Sequence, residues 1–80
     1  MSHEEILKKV KEYYEEEYQD TKRCFEINWN WSTPQELING SIKRCLGVAQ
    51  FVQNLGVAYE DIGPIYMEYK EKLENLLTTE

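Results

Sequence analysis

The chain has 80 residues and carries 15 Asp and Glu against 9 Lys and Arg, which gives a formal net charge of −6. This balance disfavours nucleic acids and anionic membranes as partners, because both are bound mainly through Lys and Arg. A chain this short buries only about 60% of its unfolded surface. We therefore predict one non-enzymatic domain over residues 1–80 with a modest core, for which self-association is a common remedy.

The residue types give no support to metal, cofactor or catalytic chemistry. The single histidine, His3, and the two cysteines, Cys24 and Cys45, lack the paired spacings of a zinc site. No Glu-x-x-His motif, catalytic triad set or Gly-rich phosphate loop occurs. We expect no catalytic residue, no metal and no cofactor. An acidic N-terminus without an apolar stretch, and no run near the ~20 apolar residues of a membrane span, predict a cytoplasmic protein with reduced thiols.

The first predicted element is an amphipathic helix from Ser2 to about Asp20. Ser2 and Glu5 have the spacing of a capping box, in which each residue bonds to the main chain of the other. Apolar and aromatic residues then recur at intervals of three and four, the helical period. They are Ile6, Val10, Tyr13, Tyr14 and Tyr18.

Residues 21–33 carry a different pattern. Phe25, Ile27, Trp29 and Trp31 alternate with polar residues, and a period of two is typical of extended chain. We predict an extended connector whose aromatic side lies across the helices and closes the core. A β-pair between two subunits is the alternative interpretation of the same stretch.

A second helix is predicted from Pro34 to Leu55. Thr33 and Glu36 form a further capping box, and proline is well tolerated at the first helical position, where its missing N–H has no helical partner to lose. Its main apolar stripe predicts a core-facing side. The stripe comprises Ile38, Ile42, Cys45, Ala49 and Val52.

Two glycines interrupt the second helix. Gly40 and Gly47 are seven positions apart and lie almost on one line along the helix surface. Each costs about 1 kcal/mol relative to Ala in a helix interior. Either they allow another helix to approach, within the chain or across a dimer, or Asn39-Gly40 breaks the helix and Ser41 caps a second piece.

Gly56 is predicted to end the second helix in the left-handed conformation, with Val57 making the apolar contact that follows such an end. In the third helix, Asp61 is the predicted N-cap and Pro64 falls in the first turn. Three helices with short connections predict an all-α fold, a small three-helix bundle with the aromatic connector between helices 1 and 2.

The segment FVQNLGVAYEDI, residues 51–62, resembles the turn region of helix-turn-helix DNA-binding domains, whose pattern is approximately L-A-x-x-L-G-V-S-x-x-x-I. The resemblance implies a regulator that contacts DNA with the start of the second helix of the motif. The chain departs from the pattern at Val52 and Ala58, and its DNA-contacting positions include Glu60 and Asp61. A helix that ends at a glycine and is followed by a second helix produces the same sequence pattern without a role in DNA binding.

Aromatic residues make up 12% of the chain, more than so small a core is expected to enclose. Because Trp and Tyr are enriched at interface hot spots, we predict an interaction patch on part of this set. The candidate residues are Tyr13, Tyr14, Tyr18, Trp29 and Trp31.

The predicted function is a protein-protein interaction or regulatory module of bacterial type, acting as a homodimer or on another protein partner. The first alternative is a helix-turn-helix-like DNA-binding regulator. The second is an acidic inhibitor or immunity-type protein that binds a basic partner, for which the run Glu15–Glu17 is the feature in favour.

Overall fold

The computed structural model describes residues 2–27 and 33–77, which fold into three helices. They are α1 (His3–Glu26), α2 (Pro34–Asn54) and α3 (Tyr59–Asn75). Each helix packs against both of the others, and the described residues contain no strand. The predicted all-α three-helix bundle is confirmed. The bundle measures 40 × 19 × 17 Å along its principal axes.

Two of the three predicted N-caps, Ser2 and Thr33, are present. The hydroxyl oxygen of Ser2 accepts a hydrogen bond from the Glu5 main-chain N–H at 3.2 Å, and that of Thr33 accepts from Glu36 at 3.1 Å. Each bond satisfies one of the main-chain donors that the first turn of a helix leaves without a partner. The positions at which α1 and α2 begin are therefore fixed by local chemistry.

The end of α2 is also as predicted. Gly56 has a φ of +104°, in the left-handed region that favours glycine. Its N–H donates to the Gln53 carbonyl at 3.0 Å, while the Val57 N–H donates to the Val52 carbonyl at 3.1 Å. These two bonds form a Schellman motif, and the two valines meet in the core as its apolar contact.

α2 is continuous through Asn39-Gly40, so the alternative of a helix break there is wrong. Gly47 faces solvent, and a Cβ atom built on it meets nothing within 4 Å. Gly47 therefore does not serve a close approach of α2 to α1 or α3. Its use across a dimer stays a prediction.

The connector prediction is wrong over its first part, because α1 runs six residues beyond Asp20 to Glu26. Thr21 is buried and Phe25 packs against the core. At spacings of three and four, both continue the helical stripe, and burial of that stripe holds the chain helical. Residues 28–32, with Trp29 and Trp31, lie outside the described residues, as does most of the alternative β-pair.

The start of α3 differs from the prediction. The helix begins at Tyr59 after an Ala58 cap that makes no side-chain bond, so Asp61 is not the N-cap. The Asp61 N–H donates to the Ala58 carbonyl at 3.0 Å, which places Asp61 in the first turn. Pro64 falls inside the helix, one turn later than predicted. The buried Gly63 leaves room for the Tyr59 ring, because a Cβ there would come within 3.1 Å of it.

The core is a single cluster contributed by all three helices and the α2–α3 turn. No side-chain polar atom buried within residues 2–27 and 33–77 lacks a hydrogen-bond partner. The buried apolar residues are Val10, Tyr14, Ile38, Cys45, Ala49, Val52, Val57, Ile62, Tyr69, Leu73 and Leu76.

Candidate interaction surface

The structure separates the residues of the predicted aromatic patch. Tyr14 is wholly buried, and its hydroxyl donates to the Cys45 main-chain carbonyl at 2.6 Å. This prediction is corrected: Tyr14 is a core residue, and burial raises the pKa of its phenol. Tyr13 is 37% exposed, whereas Tyr18 is half-buried against the core. Trp29 and Trp31 lie outside the described residues, and their part in a patch stays a prediction.

Tyr18 belongs to a polar cluster that joins α1 to α3. The ammonium of Lys72 lies 5.7 Å from the Tyr18 ring centre and 4.6 Å from that of Tyr69. The Tyr69 hydroxyl and the Gln19 amide donate to the Glu15 carboxylate at 2.8 and 3.0 Å. The bonds from Gln19 and then Tyr69 lower the pKa of Glu15, while burial raises the pKa of Tyr69 to about 12. These contacts hold α1 and α3 together.

A second polar cluster joins α1 to α2. The guanidinium of Arg44 forms an ion pair with Glu17 and donates to the Ser41 hydroxyl at 3.3 Å. Ser41 in turn shares a hydrogen bond with the hydroxyl of Thr21, and both hydroxyl residues are buried. The hydrogen bond from Arg44 to the Ser41 hydroxyl ties the surface ion pair to the helix interface.

An apolar groove lies between the N-terminal half of α1 and the C-terminal half of α2. Its volume is about 380 Å³. Val10 and Val52 are buried at its floor, whereas Phe51 is 62% and Leu55 53% exposed on the α2 side. We call this surface the α1/α2 groove. It is lined by Ile6, Lys9, Val10, Tyr13, Val48, Phe51, Val52 and Leu55.

Three other grooves of the described residues have several charged residues in their lining. The groove between α1 and α3 has Glu60 and Asp61 on one side and two lysines on the other. A groove on the outer surface of α1 is lined by four carboxylates, those of Glu12, Glu15, Glu16 and Asp20, together with Arg23. By contrast, Lys9 is the single charged residue that lines the α1/α2 groove.

Of the residues predicted for the aromatic patch, Tyr13 lines this groove, whereas Phe51 and Leu55 were not among them. The informative feature is an absence, since no Asp, Glu, Lys or Arg occurs between Arg44 and Glu60 in a chain that is 30% charged. A helix with one side in water normally carries charge on that side. The exposed side of α2 after Arg44 differs in this respect from the exposed sides of α1 and α3.

Metal-binding and nucleophilic groups are not gathered into a site. Within residues 2–27 and 33–77 there is no group of three or more His, Cys, Asp and Glu residues placed to hold a metal ion. Cys24 and Cys45 are free thiols. Burial raises the pKa of Cys45 to about 11, so this thiol is protonated and weakly nucleophilic at neutral pH.

The segment that resembles a helix-turn-helix forms the end of α2, a turn and the start of α3. Tyr59 is 66% exposed, and Glu60 and Asp61 are also exposed in the first turn of α3. Acids are favoured there because they interact with the positive end of the helix dipole. In the motif this turn faces DNA phosphates, where the same two carboxylates would be repelled.

Comparison of the chain with protein-family models, with curated proteins and with solved structures gave no significant match in any of the three. Across the part of the chain that the structure describes, no helix has both the length and the apolar character needed to cross a membrane.

Proposed function

We propose that the protein is a non-enzymatic protein-protein interaction module that binds through the α1/α2 groove. The observation in support is that Phe51 and Leu55 stand more than half exposed beside a floor of buried valines. Burying a large apolar side chain contributes about 1.5–3 kcal/mol, so covering this pair provides a substantial driving force. Exposed apolar surface of this kind in a soluble domain is typical of a docking surface.

The distribution of charge also favours this groove as the binding surface. The centres of protein interfaces are depleted in charged residues and enriched in aromatic ones. The α1/α2 groove has this composition, with Phe51 and Tyr13 as aromatic contacts and Lys9 as its one charged side chain. In this proposal the protein acts in the cytoplasm, where free thiols such as those of Cys24 and Cys45 stay reduced.

Site-specific photo-crosslinking in the cells that produce the protein tests this function. A benzophenone amino acid replaces Phe51 in one variant and Met67, which is 44% exposed on α3, in the matched control. We expect covalent adducts from position 51 and few or none from position 67. Equal labelling from both positions, or no adduct from position 51, contradicts the proposal.

A second candidate function is an acidic inhibitor of a basic partner. The observation that favours it is that Glu12, Glu16 and Asp20 lie on one surface of α1, close to Glu15. Such a complex forms through long-range attraction and weakens steeply as salt screens the charges. Partner binding that survives high salt but is lost on replacing Phe51 excludes this candidate.

A further inference from the structure

We infer that the molecule that occupies the α1/α2 groove is a second copy of this chain, related to the first by a two-fold axis. The inference rests on the proposed function and names the partner of the same surface. In a two-fold dimer the same patch is used by both copies, so the groove must be complementary to itself.

The link between α1 and α2 is too short to reach the groove. α1 ends at Glu26 and α2 begins at Pro34, at the opposite end of the bundle from the groove. Val10 lies 16 residues before Glu26, a distance of about 24 Å along the helix. A fully extended link from Ile27 to Thr33 can project at most about 10 Å from the end of the bundle and still return to it. The link between α1 and α2 therefore does not supply an apolar cover for Phe51.

Charge favours a second copy over a basic protein at this position. A basic partner would find no carboxylate among the residues that line the groove, only Lys9. Two copies of a chain with a net charge of −6 repel one another wherever their acidic surfaces face each other. The lining of the α1/α2 groove holds no carboxylate, so two copies that meet there do not bring Glu or Asp residues of the lining face to face.

Shape and area are consistent with a dimer. The exposed Phe51 ring projects at the edge of a groove floored by Val10 and Val52, so each copy presents both a projecting side chain and a recess. The broad side of the bundle that carries the groove measures 40 by 19 Å. A standard interface uses about 800 Å² from each partner. Because the groove occupies only part of that side, we expect reversible association that depends on concentration.

The test uses the purified full chain, with its mass measured by light scattering on a sizing column from low to high micromolar concentration. We expect the mass to rise toward twice 9.6 kDa with concentration. Phe51→Ser removes one ring from each copy and should lower the association constant about a hundred-fold or more. The matched control Met67→Ser removes an exposed apolar side chain from α3 and should leave the association constant within about two-fold of the wild type.

Three results overturn the inference: a wild-type chain that stays monomeric at every concentration, a Phe51→Ser dimer as stable as the wild type, or equal weakening by both substitutions. Circular dichroism of both variants confirms that the helices are retained, since both replaced side chains are exposed. A monomeric purified chain that still forms adducts with a different protein from position 51 refutes the second copy and retains the interaction module. No adduct at position 51 refutes both.

Discussion

Gly47 and Gly56 occupy opposite kinds of position in the backbone. Gly47 lies in the interior of α2 with solvent around it, and a methyl group there meets no atom within 4 Å. Gly56 has a φ of +104°, which residues with a side chain rarely adopt. The first glycine therefore costs helix stability without a packing benefit inside the chain, while the second makes the turn possible.

Gly47→Ala is expected to raise the free energy of unfolding by about 0.5–1 kcal/mol, because alanine has the higher helix propensity and loses less backbone entropy on folding. Gly56→Ala is expected to lower it by about 1 kcal/mol or more, because alanine is strained at a positive φ. Urea denaturation of each variant measures both effects. Each substitution is made separately in the Phe51→Ser variant, so that self-association does not contribute to the measured free energy of unfolding. A loss of stability in Gly47→Ala would show that α2 is packed on its outer side.

Tyr13 and Tyr14 show what a sequence pattern leaves undecided at the residue scale. The two adjacent residues differ by about 100° around the helix, and both fit a broad aromatic stripe. Tyr14 became the core residue because its hydroxyl reaches the Cys45 carbonyl on α2, so burial leaves no polar group without a partner. That carbonyl is supplied by another helix, and its position cannot be read from the spacing of tyrosines in α1.

Helices α1 and α2 are joined by two buried hydroxyl groups, those of Thr21 and Ser41. Neither was predicted to face the core, since both residue types are usually exposed. Their mutual hydrogen bond makes the burial possible, and Arg44 adds a donor to Ser41 from the surface side. This contact helps to keep the last turns of α1 helical against α2. The alternation of apolar and polar residues in those turns had predicted an extended chain.

Ser41→Ala is expected to lower the free energy of unfolding by about 1–3 kcal/mol, because it leaves the buried Thr21 hydroxyl without its partner. Thr21→Val should cost less, because the Ser41 hydroxyl keeps its hydrogen bond from Arg44. The double variant should lose clearly less than the two single losses added together, since no buried hydroxyl then lacks a partner. A double-mutant cycle by urea denaturation measures this. Strict additivity would contradict the direct hydrogen bond.

Helices α1 and α3 are joined by the Glu15 carboxylate, which makes the contact sensitive to acid. The bonds from Gln19 and Tyr69 lower the pKa of Glu15 in the folded protein. A carboxyl group of this kind stabilises the fold above its unfolded pKa of about 4.3, and the stabilisation is lost as the pH falls through the lower folded pKa.

The stability difference between the wild type and Glu15→Gln is therefore expected to be largest near neutral pH and to shrink as the pH falls below about 4. Unfolding curves at a series of pH values measure this difference. The control is Glu16→Gln, which removes one negative charge at the adjacent and exposed position of α1. A difference that stays constant down to about pH 2 would show that the Glu15 carboxylate is not stabilised by its two donors.

At the scale of the whole molecule, the negative charge restricts the surfaces that can take part in binding. Exposed carboxylates occur on the outside of α1 and at the start of α3, whereas α2 has no charged residue after Arg44. The helix-turn-helix resemblance uses the acidic start of α3, and the proposed interaction uses the uncharged side of α2. The two functions therefore require different surface chemistry: DNA binding requires cationic side chains at the start of α3, whereas the proposed interaction requires the uncharged side of α2.

A titration of duplex DNA at low salt is expected to show no binding, because affinity for DNA depends on neutralising phosphates with cationic side chains. Fluorescence anisotropy of labelled DNA measures this directly. Binding that weakens as salt is added would support the DNA-binding alternative in spite of Glu60 and Asp61. Low salt is the most demanding condition for this prediction, since it gives any electrostatic attraction its full strength.

The sequence by itself determined the features that depend on neighbouring residues along the chain. The caps at Ser2 and Thr33 and the glycine-ended turn at Gly56 were predicted because a few adjacent side chains satisfy the main-chain groups there. The three-helix fold follows from apolar residues at helical spacing, which must be covered in water. The charge-free side of α2 was equally present in the sequence, although its meaning required knowing that Phe51 points outward.

Only the tertiary structure decided the features that depend on residues distant along the chain. The six additional residues of α1 are held by Thr21 and Phe25 packing against other helices, so the local period-two pattern was overridden. The choice of Tyr14 as core residue depends on a carbonyl of α2. The α1/α2 groove exists because two helices lie side by side with large side chains at its edge. Burial and surface grooves result from the packing of helices against one another. The sequence pattern therefore restricts which residues can be buried without determining which of them are.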